Sequence, residues 1–146
     1  MDKTADPQVL AEACACAMWE RDLASRGLGM AIERVGPGEA VLTMTVGPDM
    51  VNGHDTCHGG FIFTLADSAF AFACNSHDVT TVAASCDIAF LEAAHSGDRL
   101  TAHAREIHRK GRNGIYDIAV TRQNGDTIAQ FRGKSRTIGG SVVAGR

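Results

Sequence analysis

The chain has 146 residues, of which 45% are hydrophobic and 21% charged, a globular composition that excludes wholesale disorder and fits a single domain spanning 1–146. No apolar run reaches the roughly 18–20 residues that span a bilayer, and five acidic residues within the first 26 exclude a secretory leader. The net charge of −3 and an aromatic content of 5% argue against a nucleic-acid partner, which would want a basic face or a stacking platform.

Residues 7–26 read as one helix, opened by Pro7 and carried by Val9, Leu10, Ala13, Cys14, Ala17 and Met18 at helical spacing. Two strands follow, 30–35 and 39–46, about the turn Gly36-Pro37-Gly38, and then a loop over 47–58. Residues 60–74 are apolar on almost every side and hold four of the six Phe, which predicts a helix buried at the centre of the core. Four β-like segments come next, at 79–91, 98–110, 114–123 and 127–138, and read as a meander; Asn124-Gly125 is a two-residue hairpin signal. Strands in sequence beside one buried helix predict an α+β fold, an antiparallel sheet wrapped around that helix. The ends, 1–6 and 141–146, read as disordered.

Five cysteines, an odd number with no Cys-x-x-Cys pair, point to a reducing cytoplasm rather than a disulfide framework. Charge is uneven along the chain. Residues 1–103 carry 5 Lys+Arg against 14 Asp+Glu, while 104–146 carry 9 against 3, as a local anion site would require.

Asp67 breaks the apolar helix. A carboxylate there is costly to bury, so it is either partnered or functional. His58-Gly59-Gly60 opens the same helix, where unpaired backbone N–H groups and the positive end of the dipole lie. Such donors suit a carbonyl oxygen that gains charge during acyl transfer. Gly59 and Asp67 are eight residues apart, about 12 Å along a helix axis, too far for one carboxylate to serve a carbonyl held at its own Gly59. Two antiparallel copies across a two-fold axis would bring each Asp67 to the other chain's Gly59.

The run Val51-Asn-Gly-His-Asp-Thr-Cys-His58-Gly-Gly-Phe-Ile-Phe-Thr-Leu65-Ala-Asp67-Ser-Ala-Phe-Ala-Phe-Ala-Cys-Asn75-Ser resembles the hotdog-fold acyl-CoA thioesterases, and most of all their phenylacetic-acid-degradation branch. Gly114-Ile-Tyr116-Asp117-Ile and Phe131-Arg-Gly-Lys134-Ser135 are similar to that branch as well, so the resemblance covers roughly 8–140. It implies a hotdog fold, with a curved antiparallel sheet around a long central helix. It implies homodimers, often paired into homotetramers, and hydrolysis of an acyl-CoA to free acid and coenzyme A. Coenzyme A is then part of substrate and product, and no other cofactor and no metal is needed. By the resemblance Asp67 is the catalytic carboxylate, as nucleophile or as general base, and the Gly59 N–H polarises the thioester carbonyl. His58 and Asn52 support the loop or place substrate and water.

Gly60 and Ser68 flank this pair and are further candidates for substrate binding. The basic run Arg109-Lys110-Gly111-Arg112, with Lys134 and Arg136, suits the phosphates of coenzyme A. The apolar stretch Ile88-Ala-Phe90-Leu91 is a candidate acyl pocket. His54, Asp55, Cys57 and His58 crowd together but lack a second cluster that would complete a metal site, and Cys57 has no partner to make it a nucleophile. Two other readings fit the same residues: a hotdog dehydratase or hydratase, and a non-catalytic acyl-CoA-binding or sensing protein.

Overall fold

The computed structural model describes residues 6–145. Helices α1 (Pro7–Trp19) and α2 (Leu23–Gly27) precede strands β1 (Ala31–Gly36) and β2 (Glu39–Thr45). A short 3-10 turn, Pro48–Met50, and a loop lead into α3 (Gly59–Cys74), after which come β3 (Thr81–Phe90), β4 (Arg99–Lys110), β5 (Asn113–Arg122) and β6 (Thr127–Thr137). The six strands form one antiparallel sheet in the order β1-β2-β4-β5-β6-β3, against which α3 packs. The curved antiparallel sheet around a central helix is the expected α+β architecture.

The core is the seam between α3 and the sheet. Leu65, Ala66, Ala69, Phe70 and Ala73 of α3 face Leu42, Met44, Ile118 and Phe131, all of them buried. Ala40, Ala102 and Ala104 supply small side chains where a wide helix must sit close to the sheet. Burying one Leu or Phe contributes roughly 1.5–3 kcal/mol, so this seam dominates the stability. The Phe70 ring lies over Gly133 and beside Tyr116 and Phe131, with ring centroids 5.6 and 5.9 Å away. Asn75 caps α3 and ties its end to the sheet: Nδ2 donates to the Ala71 and Thr81 carbonyls, and Oδ1 accepts from the Thr81 N–H.

The structure corrects four expectations. The first helix is two, because the Asp22 side chain accepts from the Ser25 N–H at 2.9 Å and starts a new helix after a turn at Glu20. The last four strands are not a meander: β4, β5 and β6 are, but β3 crosses to the far edge and pairs with β6. The eight-residue connection 91–98 runs back beside the loop before α3, where the Cys57 N–H donates to the Ala94 carbonyl at 2.7 Å, and then turns at His95–Asp98 with Gly97 at φ +90°. The β5–β6 hairpin turns at Asn124-Gly125, with Gly125 at φ +90°.

The third correction is that α3 is not buried all round. Phe63, Thr64, Asp67 and Ala71 form a partly exposed stripe, with the Phe63 ring resting on Phe131 of β6. The fourth concerns the ends. Asp6 caps α1 through the Gln8 and Val9 N–H groups, and Ser141 and Val143 bond the Asp78 carboxylate while Val142 is buried. The segment 141–145 is therefore packed rather than disordered; residues 1–5 and 146 lie outside the described residues. Among the described residues, no helix is long and apolar enough to cross a membrane.

The Phe70–Gly133 contact leaves no room for a methyl group. Gly133→Ala is expected to cost roughly 1–3 kcal/mol, as overpacking does, and to lower the Tm by several degrees in a thermal melt. An unchanged Tm would contradict this close approach.

Candidate active site

Asp67 lies at the middle of the open stripe of α3, half-buried. It makes no hydrogen bond and no ion pair with any described residue. Burial alone pushes its carboxyl above the ordinary value of 3.8, since no cation lies close enough to pull it back. Cys86 on β3 and Cys74 on α3 both feel its charge. A carboxylate held partly out of water and free of partners is a better base and nucleophile than one on the surface.

At the start of α3, His58 is the N-cap, and its Nδ1 accepts the Gly60 N–H at 2.9 Å. The ring proton is therefore on Nε2. The Gly60 donor is thus occupied, and of the two glycines only Gly59 presents an N–H without an acceptor among the described residues. The helix dipole adds positive potential there. Asn52 organises the loop before the helix: its Oδ1 accepts from the His54 N–H, the Thr56 N–H and the Thr56 hydroxyl. Its amide nitrogen has no partner among the described residues and is free to meet a ligand.

Ser68, expected to touch substrate, points elsewhere. Its hydroxyl is 2.8 Å from that of Ser25, which in turn donates to Asp22. Ser68 thus fastens α2 to α3, and the signal for this was the capping motif at Asp22. Cys57 is buried with its thiol on the His58 carbonyl, and burial pushes that thiol up, away from the thiolate a nucleophile needs. Among the described residues, no group of three or more His, Cys, Asp or Glu is placed to hold a metal ion.

The basic residues lie at the other end of α3. Arg109, Gly111 and Arg112 line a small cavity of about 140 Å³ with Cys74 and His77. Gly59 and Cys74 are fifteen residues apart, about 22 Å along the axis, so within one chain the hairpin does not meet the Gly59 donor. Glu106 anchors it, accepting from Tyr116 at 2.7 Å and His77 at 2.8 Å, with Arg109 at 3.6 Å. Lys110 and Arg112 make no ion pair with described residues. Lys134 and Arg136 stand on the outward face of β6, opposite Ser85 and Val82 of β3, and are not brought to Asp67.

Next to Gly59 is a cleft of about 400 Å³ whose lining includes Thr56, Cys57, Ile62, Phe90 and Leu91. Nothing in the sequence placed Phe90 beside Gly59; the contact depends on β3 crossing to the far edge.

Comparisons with known proteins agree with this geometry. Residues 54–129, which include Gly59, Asp67 and most of the sheet, match the thioesterase superfamily. The chain is similar to the acyl-coenzyme A thioesterase PaaI of Escherichia coli, with 48% identity over 127 residues that cover 87% of this chain and 91% of that one. The solved structure of the E. coli PaaI protein, from the phenylacetic acid degradation operon, matches with a TM-score of 0.92 over 93% of this chain and 99% of that chain, at 46% identity. A thioesterase from Streptococcus pneumoniae, solved with coenzyme A, matches with a TM-score of 0.74 at 25% identity over 77% of this chain and 90% of that chain. The chain belongs to the thioesterase superfamily and has its hotdog fold.

Proposed function

We propose that the chain hydrolyses an arylacetyl or aryl coenzyme A thioester, such as phenylacetyl-CoA or a hydroxylated phenylacetyl-CoA, or another medium acyl-CoA. The products are the free acid and coenzyme A. Thioester hydrolysis follows from the family; the acyl group, the residues and the assembly are what is proposed. The whole chain serves as one hotdog domain, in a cytoplasmic enzyme that needs no cofactor and no metal.

One observation carries the reading: a half-buried, unpartnered carboxylate at Asp67 and an unpaired N–H at Gly59 share one helix. Reaction at the carbonyl needs the attacking group within about 3–3.5 Å, and about 12 Å of helix separates the two. Pairing two copies with their α3 helices antiparallel meets this requirement. The exposed stripe of α3 then becomes an interface, and each Asp67 faces the Gly59 of the other copy. The same two-fold brings the basic hairpin of one copy toward the Gly59 end of the other, where the phosphates of coenzyme A would follow from a thioester held there. The names of the E. coli and S. pneumoniae relatives support an acyl-CoA substrate, and two such dimers would make the homotetramer.

The thioester oxygen accepts the Gly59 N–H, and its developing charge is stabilised by that donor and the helix end. Asp67 then acts in one of two ways. As nucleophile, its oxygen bonds the carbonyl carbon, the C–S bond breaks, and coenzyme A leaves as thiolate; water then splits the anhydride. As general base, it takes a proton from water as the water oxygen bonds the carbon, and the proton passes to the departing sulfur. His58 holds the Gly60 amide, so Gly59 stays in place as the donor.

Release of free thiol from phenylacetyl-, hydroxyphenylacetyl-, benzoyl-, hexanoyl- and palmitoyl-CoA tests the activity directly. Turnover concentrated on the aryl thioesters is expected, and Asp67→Asn should lower kcat by at least about 100-fold while acyl-CoA still binds. Binding without turnover on any thioester would instead favour the sensing or dehydratase reading.

Burial raises the Asp67 pKa above 3.8, so the acid limb of kcat against pH is expected above that value. The sign for stability follows from the same shift. Folding disfavours the charged form, so the penalty is absent below the unfolded pKa and complete above the folded one. Asp67→Asn should therefore match or exceed the wild-type Tm at neutral pH, with the gain vanishing in acid. A lower Tm at neutral pH would mean that Asp67 has a stabilising partner.

Neutralising Arg109, Lys110 and Arg112 to Gln should raise KM several-fold with little change in kcat, and more at low salt than at high salt. An equal rise for Arg21→Gln with Arg26→Gln, in α2 and the turn before it, would remove the hairpin from substrate binding.

A further inference from the structure

Strand β3 lies along α3 with matched spacing. Cys86 is close enough to Asp67 for the carboxylate to raise its thiol pKa, and Phe90 touches Gly59. A Cβ added to Gly59 would come 3.0 Å from Phe90 Cζ and 3.2 Å from Cε1. Asp67 to Gly59 is about 12 Å of helix, and Cys86 to Phe90 is about 13 Å of strand. The two elements thus mark out the same span from carboxylate to donor.

Cys86, Ile88 and Phe90 share the inward face of β3, since alternate residues of a strand point the same way. Cys86 and Ile88 are partly buried and pack on the core. Phe90 continues past the core edge: it is 53% exposed, and its nearest neighbour on α3 is a residue with no side chain. The tip of the ring, Cζ and both Cε atoms, meets Gly59, and much of the rest is open. Leu91, 55% exposed, follows it, and Ile62 lies one turn below Gly59. Together they give the cleft beside the Gly59 donor an apolar wall, with Thr56 and Glu92 at its polar side. Its volume of about 400 Å³ falls in the range of roughly 300–1,000 Å³ usual for small-molecule sites. A large exposed aromatic ring that the core does not need, fixed against the unpaired Gly59 donor, is placed for a ligand.

We infer that Phe90 is a specificity-determining residue: the open side of its ring is the surface on which an aryl acyl group packs when the thioester carbonyl accepts the Gly59 N–H. The inference rests on the thioesterase reading and deepens it. It selects the acyl group by chemistry, favouring a flat ring one or two bonds from the carbonyl over a short aliphatic chain. Ring–ring packing adds to the burial of apolar area only when both partners are aromatic.

The test compares wild type, Phe90→Leu and Phe90→Ala on phenylacetyl-CoA, hexanoyl-CoA and acetyl-CoA, with the state of association followed by sedimentation. The phenylacetyl-to-acetyl ratio of kcat/KM should fall at least about tenfold in Phe90→Ala, the scale of a lost aromatic contact with its buried area. The loss should lie mainly in KM. Phe90→Leu should lose phenylacetyl-CoA selectively while keeping its preference for hexanoyl over acetyl. Equal losses on all three thioesters, with or without loss of association, would overturn the inference and make Phe90 a structural or interface residue. The same ratio is read in binding, by titrating phenylacetyl-CoA and acetyl-CoA into Asp67→Asn with and without Phe90→Ala. A wild type with no turnover would thus sink the thioesterase reading alone, while an unchanged binding ratio would sink the Phe90 assignment alone.

Discussion

The rise of an α-helix is the constraint on which the rest depends. Asp67 and Gly59 are fixed on one rigid element, about 12 Å apart, and no rotamer of a short carboxylate closes that distance. Each is half of the proposed reactive pair: a carboxylate that burial leaves short of solvent, and a donor that the helix start leaves short of an acceptor. Neither is satisfied by any described residue. The proposed two-copy site is what would bring such separated groups together.

The sheet is arranged toward the same end. Carrying β3 to the far edge exposes ten residues of strand backbone, with Val82 among the large apolar side chains left uncovered. A long apolar edge is a liability for a lone chain and a natural seam for a two-fold partner. The stripe of α3 through Phe63, Thr64, Asp67 and Ala71 is open in the same chain. In the proposed dimer, one symmetric association would cover both edge and stripe and bring the divided pair together. The interior works in the opposite sense: Phe70 against Gly133 and Asn75 against Thr81 hold α3 rigidly on the sheet, so the spacing of the reactive groups is not negotiable.

Much of this was legible in the sequence because it was local. An apolar run with one carboxylate, a Gly-Gly helix start and Asn-Gly at a hairpin are short-range signals, and α3, Asp67, Gly59 and the β5–β6 turn stand where they were expected. The resemblance to a known family supplied the fold and the chemistry from the same run of residues. What was illegible depended on long-range pairing. The crossing of β3 has no local signature, so neither the exposed edge nor the contact of Phe90 with Gly59 could be read. Ser68 looked like a neighbour of the carboxylate, yet its hydroxyl turns toward Ser25. The Gly60 donor looked free until the His58 ring was seen to occupy it. The break at Asp22 was readable, since an acidic cap followed three residues later by Ser is a helix start, but the apolar pattern across it concealed the signal.

The most direct test of a site shared between two copies is complementation between two inactive variants. Asp67→Asn removes the carboxylate, and Gly59→Pro removes the donor N–H at a first helical position, with the exposed Phe90 ring giving way slightly to the added Cβ. Mixed, unfolded together and refolded in equal amounts, they form heterodimers in which one site combines an intact Asp67 with an intact Gly59. A shared site predicts recovery to about one quarter of wild-type thiol release, from random pairing and one intact site per heterodimer. No recovery from a mixture shown to contain heterodimers would place Asp67 and Gly59 in the same chain's site and contradict the two-copy arrangement.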